Sequence, residues 1–172
     1  TGGDNTIVGY LAGNALTSGA DNVAIGSTSL YTATTVAGNT AVGSNALKLT
    51  VAADNTGIGR SALEDNTTGT QNTAVGKNAL ANNTTAGQNV AIGREALFTN
   101  TTGADNVAVG AAALYTNNAD DNTAVGRSAL LSNTTGTENV AVGLRALDGC
   151  TTASGNTAIG TDTMGNDITG SY

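Results

Sequence analysis

Six carboxylates recur at one place in this sequence: Asp4, Asp21, Asp54, Asp105, Asp121 and Glu138 each stand directly before an asparagine. Oxygen ligands in series are the chemistry of a calcium site. The series is broken by Gly38, Gln71, Gln88 and Gly155, and the glycine-rich aspartate nonapeptide that binds calcium in repeat proteins is absent. The carboxylates therefore read as a column, not as a convergent pair or cage. Arg60, Lys77, Arg94 and Arg127, each placed after a recurring glycine, offset part of their charge. The expected outcome is a solvated, partly paired face with no metal.

Catalytic chemistry has little material to work with. There is no histidine, and the one cysteine, Cys150, stands where other copies of the repeat carry a turn asparagine. A Ser/His/Asp or Cys/His device is excluded, as is a disulfide framework. The reading is a non-enzyme without a cofactor. Asn66, Asn82, Asn83, Asn100 and Asn133 match the glycosylation sequon, but asparagine and threonine are also what a turn requires. The turn is the expected role. A net charge of −7 with only six basic residues excludes the phosphate-neutralising patch of a nucleic-acid binder. No apolar run of about 20 residues is present to insert into a membrane.

These residues are ordered by a repeat. An asparagine recurs at Asn5, Asn22, Asn39, Asn55, Asn72, Asn89, Asn106, Asn122, Asn139 and Asn156, at spacings of 16 or 17, each followed four residues later by glycine. The three residues between, such as Thr73-Ala74-Val75, flank a small side chain with β-branched ones and predict a short strand. Four residues past the glycine comes leucine, from Leu30 to Leu147, with Met164 in the last copy, implying a second short strand or a corner. Where the spacing falls to 16, after Asn39 and Asn106, the lost residue lies between leucine and the next asparagine. That stretch, commonly "NTTG", is the exposed turn. Helices are not expected, because each candidate stretch ends within a few residues whereas an isolated helix needs about 12.

A unit this short cannot fold alone. Ordering costs roughly 1 to 2 kcal/mol per residue, while one buried valine or leucine returns only about 1.5 to 3 kcal/mol. The sequence thus predicts an all-β parallel β-solenoid of ten turns over residues 1–172, a single domain, with an atypical first turn (1–21) and a degenerate last one (156–172). The asparagines form an amide ladder. The β-branched residues before each glycine, Val8, Ile25, Val42 and their equivalents, are expected to fill the interior with the leucines. The residue between the β-branched flanks then points outward. It is Ala24, Ala41, Ala74, Ala91, Ala108, Ala124, Ala141 or Ala158 in eight of the turns, with Ile7 and Gly57 in the other two. A column confined to such small residues is expected to line the axis of a homotrimer.

The phrases "NVAIG" at 22–26 and 89–93, "NTAVG" and "NTAIG" resemble the repeat of trimeric autotransporter adhesin heads. The longer "NTAVGxxAL…NTTG" is similar to arrays in phage and bacterial tail-fibre-like proteins. The resemblance implies a left-handed β-roll, a trimer, and an extracellular place on a virion tail fibre or cell surface. It implies a non-catalytic structural or attachment role, with a host-surface glycan or receptor as possible partner. The units are longer than the usual adhesin-head unit, and no stalk, anchor or chaperone domain is present in these residues. Two other readings stay open, a secreted self-assembling filament and an ice-binding solenoid built on the Thr-Thr pairs of the turns. Phe98, Tyr115 and Leu131, one after each leucine in successive turns, are expected to form an apolar surface stripe for such a contact. With no initiating Met and no polar cap at either end, the chain is expected to be a segment of a longer protein or to stack end to end.

Overall fold

The computed structural model describes residues 2–165, and among them every regular element is a strand. The strands are β1 (Thr6–Val8), β2 (Val23–Ile25), β3 (Thr40–Val42), β4 (Thr56–Ile58), β5 (Thr73–Val75), β6 (Val90–Ile92), β7 (Val107–Val109), β8 (Thr123–Val125), β9 (Val140–Val142) and β10 (Thr157–Ile159). They stack in chain order into one parallel sheet. Pairing is in repeat register, as in Thr73 with Val90, Ala74 with Ala91 and Val75 with Ile92. The two short spacings leave strand length untouched, so the missing residue is absorbed in the turn. Ten rungs at about 4.8 Å make a β-solenoid on the order of 50 Å long. Residues 166–172, the end of the expected degenerate last turn, lie outside the described residues.

The interior is made of alanine, leucine and asparagine. Leu30, Leu47, Leu63, Leu80, Leu97, Leu114, Leu130 and Leu147 are fully buried, and so are the strand alanines from Ala24 to Ala141. This reverses the expected orientation of the strand. The β-branched column from Val8 to Ile159 points outward, and the alanine column expected at a trimer axis, Ala24, Ala41, Ala74, Ala91, Ala108, Ala124, Ala141 and Ala158, lies inside the chain.

The cause is the period of two along a strand. The asparagine takes an inward position, so the residue two further on, alanine, is inward as well, and the residues after each of them are outward. Alanine is required because the roll is thin. At Gly57, the one glycine in this column, an added Cβ would lie 3.2 Å from Leu47 Cγ and 3.1 Å from the Ala62 carbonyl oxygen. The opposite wall of the same chain, not a partner, limits this column to small residues.

After each strand the chain turns a corner rather than entering a second strand. The recurring glycine of the repeat sits at φ between +130° and +137°, and a Cβ on Gly93 would meet the Gly110 carbonyl oxygen at 2.5 Å. Only glycine combines that backbone with so close an approach between rungs. The leucines themselves adopt left-handed φ of +49° to +53°. That conformation is unfavourable for a bulky side chain, and complete burial together with a ladder bond from each leucine N–H, such as Leu97 N to Ala113 O at 3.0 Å, holds it in place.

The first turn fills the same interior differently. Ile7 occupies the alanine position and Gly13 the leucine position, and a Cβ on Gly13 would meet Ile7 Cδ1 at 2.7 Å. The two residues exchange volumes across the roll, while Leu16, displaced from its usual place, packs against the core from its edge.

Candidate functional site

The expected asparagine ladder is present and is the polar spine of the fold. Asn22, Asn39, Asn55, Asn72, Asn89, Asn106, Asn122 and Asn139 are fully buried, and Asn156 nearly so. From Asn22 to Asn139, each carboxamide oxygen accepts the backbone N–H of the asparagine one rung on, as from Asn89 N to Asn72 Oδ1 at 3.0 Å. Over the same rungs each carboxamide nitrogen donates across the interior to a turn carbonyl, as from Asn89 Nδ2 to Gly103 O at 2.9 Å. Strand and turn are thereby tied together inside every rung.

A second ladder runs in the turns. Asn66, Asn83, Asn100, Asn117 and Asn133 are fully buried, with Nδ2 of Asn83 donating to Asn66 Oδ1 and that of Asn133 to Asn117 Oδ1, both at 2.7 Å. Thr50 and Cys150 occupy the same column in flanking rungs, and Cys150 is buried with Sγ 3.6 Å from the Ala153 carbonyl oxygen. Four of the five sequon asparagines, Asn66, Asn83, Asn100 and Asn133, therefore point inward and are closed to glycan attachment in the folded chain. The ladder breaks at one place: Asn117, beside a shortened turn, donates to Ala119 O two residues on, and Asn100 Oδ1 is left buried without a partner.

The turn threonines are engaged as well. Thr67, Thr84 and Thr134 donate their hydroxyls to carbonyls of the next rung at 2.8 to 3.0 Å. In these three pairs the hydroxyl of the first threonine is engaged within the chain. The apolar stripe is partly assembled: Phe98 and Tyr115 stack with ring centroids 5.3 Å apart and planes 25° from parallel, and Leu131 is half-buried one rung beyond.

What sequence reasoning placed inside is the most regular surface of the molecule. Each strand presents two residues outward, and over ten strands all of these positions are threonine, valine or isoleucine. Ile58 and Ile92 keep 40% and 41% of their surface exposed, where Ala91 keeps 0%. The face measures about 48 Å by roughly 10 Å, on the order of 500 Å², taking 4.8 Å per rung and two outward positions per strand. A contiguous uncharged face of that size reaches the upper range of patches found on monomers, which are often functional. The signal was in the sequence: a face open to water accepts lysine, glutamate or serine, and this one contains none.

The acidic column, with Asp54, Asp105 and Asp121 among its exposed members, borders this face on the side where the chain enters the strand. The basic column, Arg60, Lys77, Arg94 and Arg127, borders it where the chain leaves. Among the described residues no group of three or more metal-ligating side chains converges, and no helix is long and apolar enough to cross a membrane. Comparison with protein-family models, with curated proteins and with solved structures finds no match to this chain.

Proposed function

We propose that this chain is a non-catalytic structural segment of an extracellular fibre, a phage tail fibre or a cell-surface adhesin-like fibre, and that it works as a parallel homotrimer. The observation that carries the reading is the outward sheet face, unbroken in threonine, valine and isoleucine over ten strands. Burying it against other copies removes an apolar surface that has no use in water. Three straight rods sharing such a face form a stiff shaft whose length is set by the number of rungs, and length with stiffness is what a fibre requires. The resemblance of the repeat to adhesin heads and tail-fibre arrays supports the same assembly, now with the β-branched residues rather than the alanines at the axis. A surface glycan or receptor would then meet the sides that remain exposed, where the Phe98–Tyr115 stack lies.

Ice binding is the second reading, moved from the turn threonines to the sheet face. A flat, uncharged lattice with a fixed repeat favours it. Small-angle scattering and thermal hysteresis separate the two. A rod with about three chains per cross-section and no hysteresis is expected, whereas a single-chain cross-section that depresses freezing would replace the fibre reading with the second.

A further inference from the structure

Across the outward face, acid and base are segregated to opposite edges. Asp54, Asp105 and Asp121 precede the inward asparagine of their rungs, and Arg60, Lys77 and Arg127 follow the glycine. All six are exposed, and none forms an ion pair within the chain, whose described pairs are Lys48–Glu64, Arg94–Glu95 and Arg145–Asp162. They do not pair within one rung, since the three-residue strand between them alone spans about 10 Å. Ion pairing needs about 4 Å. The repeat holds each edge in register, because ladder bonds continue past the strand on the basic side, as from Asn78 N to Arg60 O at 2.9 Å.

We infer that the acidic edge of one copy pairs with the basic edge of its neighbour, and that this pairing fixes the copies in the same direction. The inference rests on self-association through the β-branched face, which alone is indifferent to direction: threonine, valine and isoleucine pack equally well either way up. The edges are not indifferent. When two copies face each other in the same direction, or three surround an axis, the acidic edge of each meets the basic edge of the next. Turning one copy end over end sets acid against acid and base against base, which is repulsive. Closed symmetry also forbids an axial offset, so Asp54 falls level with a neighbour's Arg60, and Asp121 with a neighbour's Arg127.

The test is reversal of one edge at a time. Arg60→Glu with Lys77→Glu and Arg127→Glu, or separately Asp54→Lys with Asp105→Lys and Asp121→Lys, is expected to weaken assembly about tenfold or more at low salt, while the combined variant recovers most of it. Direction is read by oxidising the double variant Asp121→Cys/Arg127→Cys, in which parallel copies place the two thiols together between chains and the buried Cys150 does not compete. Covalent oligomers closed through these cysteines are expected. The inference is overturned if either single-edge reversal leaves assembly unchanged, if the combined variant folds by circular dichroism yet stays weak, or if no link forms between chains that sediment together. A monomeric wild type overturns the assembly reading and, with it, the pairing of edges.

Discussion

Asn106 shows how much of the fold a single side chain holds. Its Nδ2 donates to Asn89 Oδ1, Ala104 O and Ala119 O, and its Oδ1 accepts Asn122 N at 3.0 Å. Removing the carboxamide leaves the buried Asn122 N–H unpaired, at about 1 to 3 kcal/mol, and takes one donor each from Asn89 Oδ1, Ala104 O and Ala119 O, which keep Asn106 N, Asp121 N and Asn117 Nδ2. Asn106→Ala is therefore expected to lose about 2 to 3 kcal/mol in urea unfolding. Asn100 offers the contrast. Its Oδ1 has no partner, and its Nδ2 makes one short bond, to Gly103 O at 2.8 Å, and one long one, to Asn83 Oδ1 at 3.4 Å, so Asn100→Ala is expected to cost only about 1 kcal/mol. Equal losses at both sites would mean that the hydrogen-bond pattern does not set their weight. The ladder of strand asparagines was legible from its spacing. The turn ladder was not, because Asn-Thr-Thr serves an exposed turn and a buried amide equally well until the turn's direction is known.

At the scale of one strand, the decisive fact is which side is which. Asparagine and the second β-branched residue are three positions apart and so face opposite ways. A buried ladder and a buried valine-isoleucine column cannot both hold. The ladder prevails because its amides pair inside every rung, and the alanines follow it inward. β-Branched character forecast strand and register correctly, yet residue size misled on burial. In a globular sheet the larger apolar residue is inside, but this roll has room only for alanine opposite leucine. Ala91→Leu is accordingly expected to overpack the interior and lose about 1 to 3 kcal/mol of stability, in urea unfolding and at every protein concentration. A variant as stable as wild type would show that position 91 is not enclosed.

For the whole molecule, each rung bonds only to the rungs above and below, so stability is a sum over neighbours. Deleting residues 89–105, one unit of 17 residues from asparagine to asparagine, should leave a folded rod with the same strand signature in circular dichroism, shorter by about 4.8 Å in small-angle scattering. Loss of folding would show coupling beyond nearest neighbours. The two shortened turns already demonstrate the tolerance in nature's own hand, since β3 to β4 and β7 to β8 pair like the rest across a missing residue. Fold class, repeat phase and turn position were readable because they depend on spacing alone. The working face was not, because it depends on which of two alternating columns the interior accepts.

The central claim is that the outward β-branched face is where copies of this chain meet, and sedimentation equilibrium of wild type beside the Val75→Lys/Ile92→Lys variant tests it most directly. Both lysines would stand on outward positions of the single chain, exposed at 92 and half-buried at 75, so the variant should keep the wild-type strand spectrum. Two charges per chain buried at the axis without partners should cost several kcal/mol each. The account predicts a trimeric wild type and a folded, monomeric variant. A monomeric wild type, or a variant that remains trimeric, would contradict it.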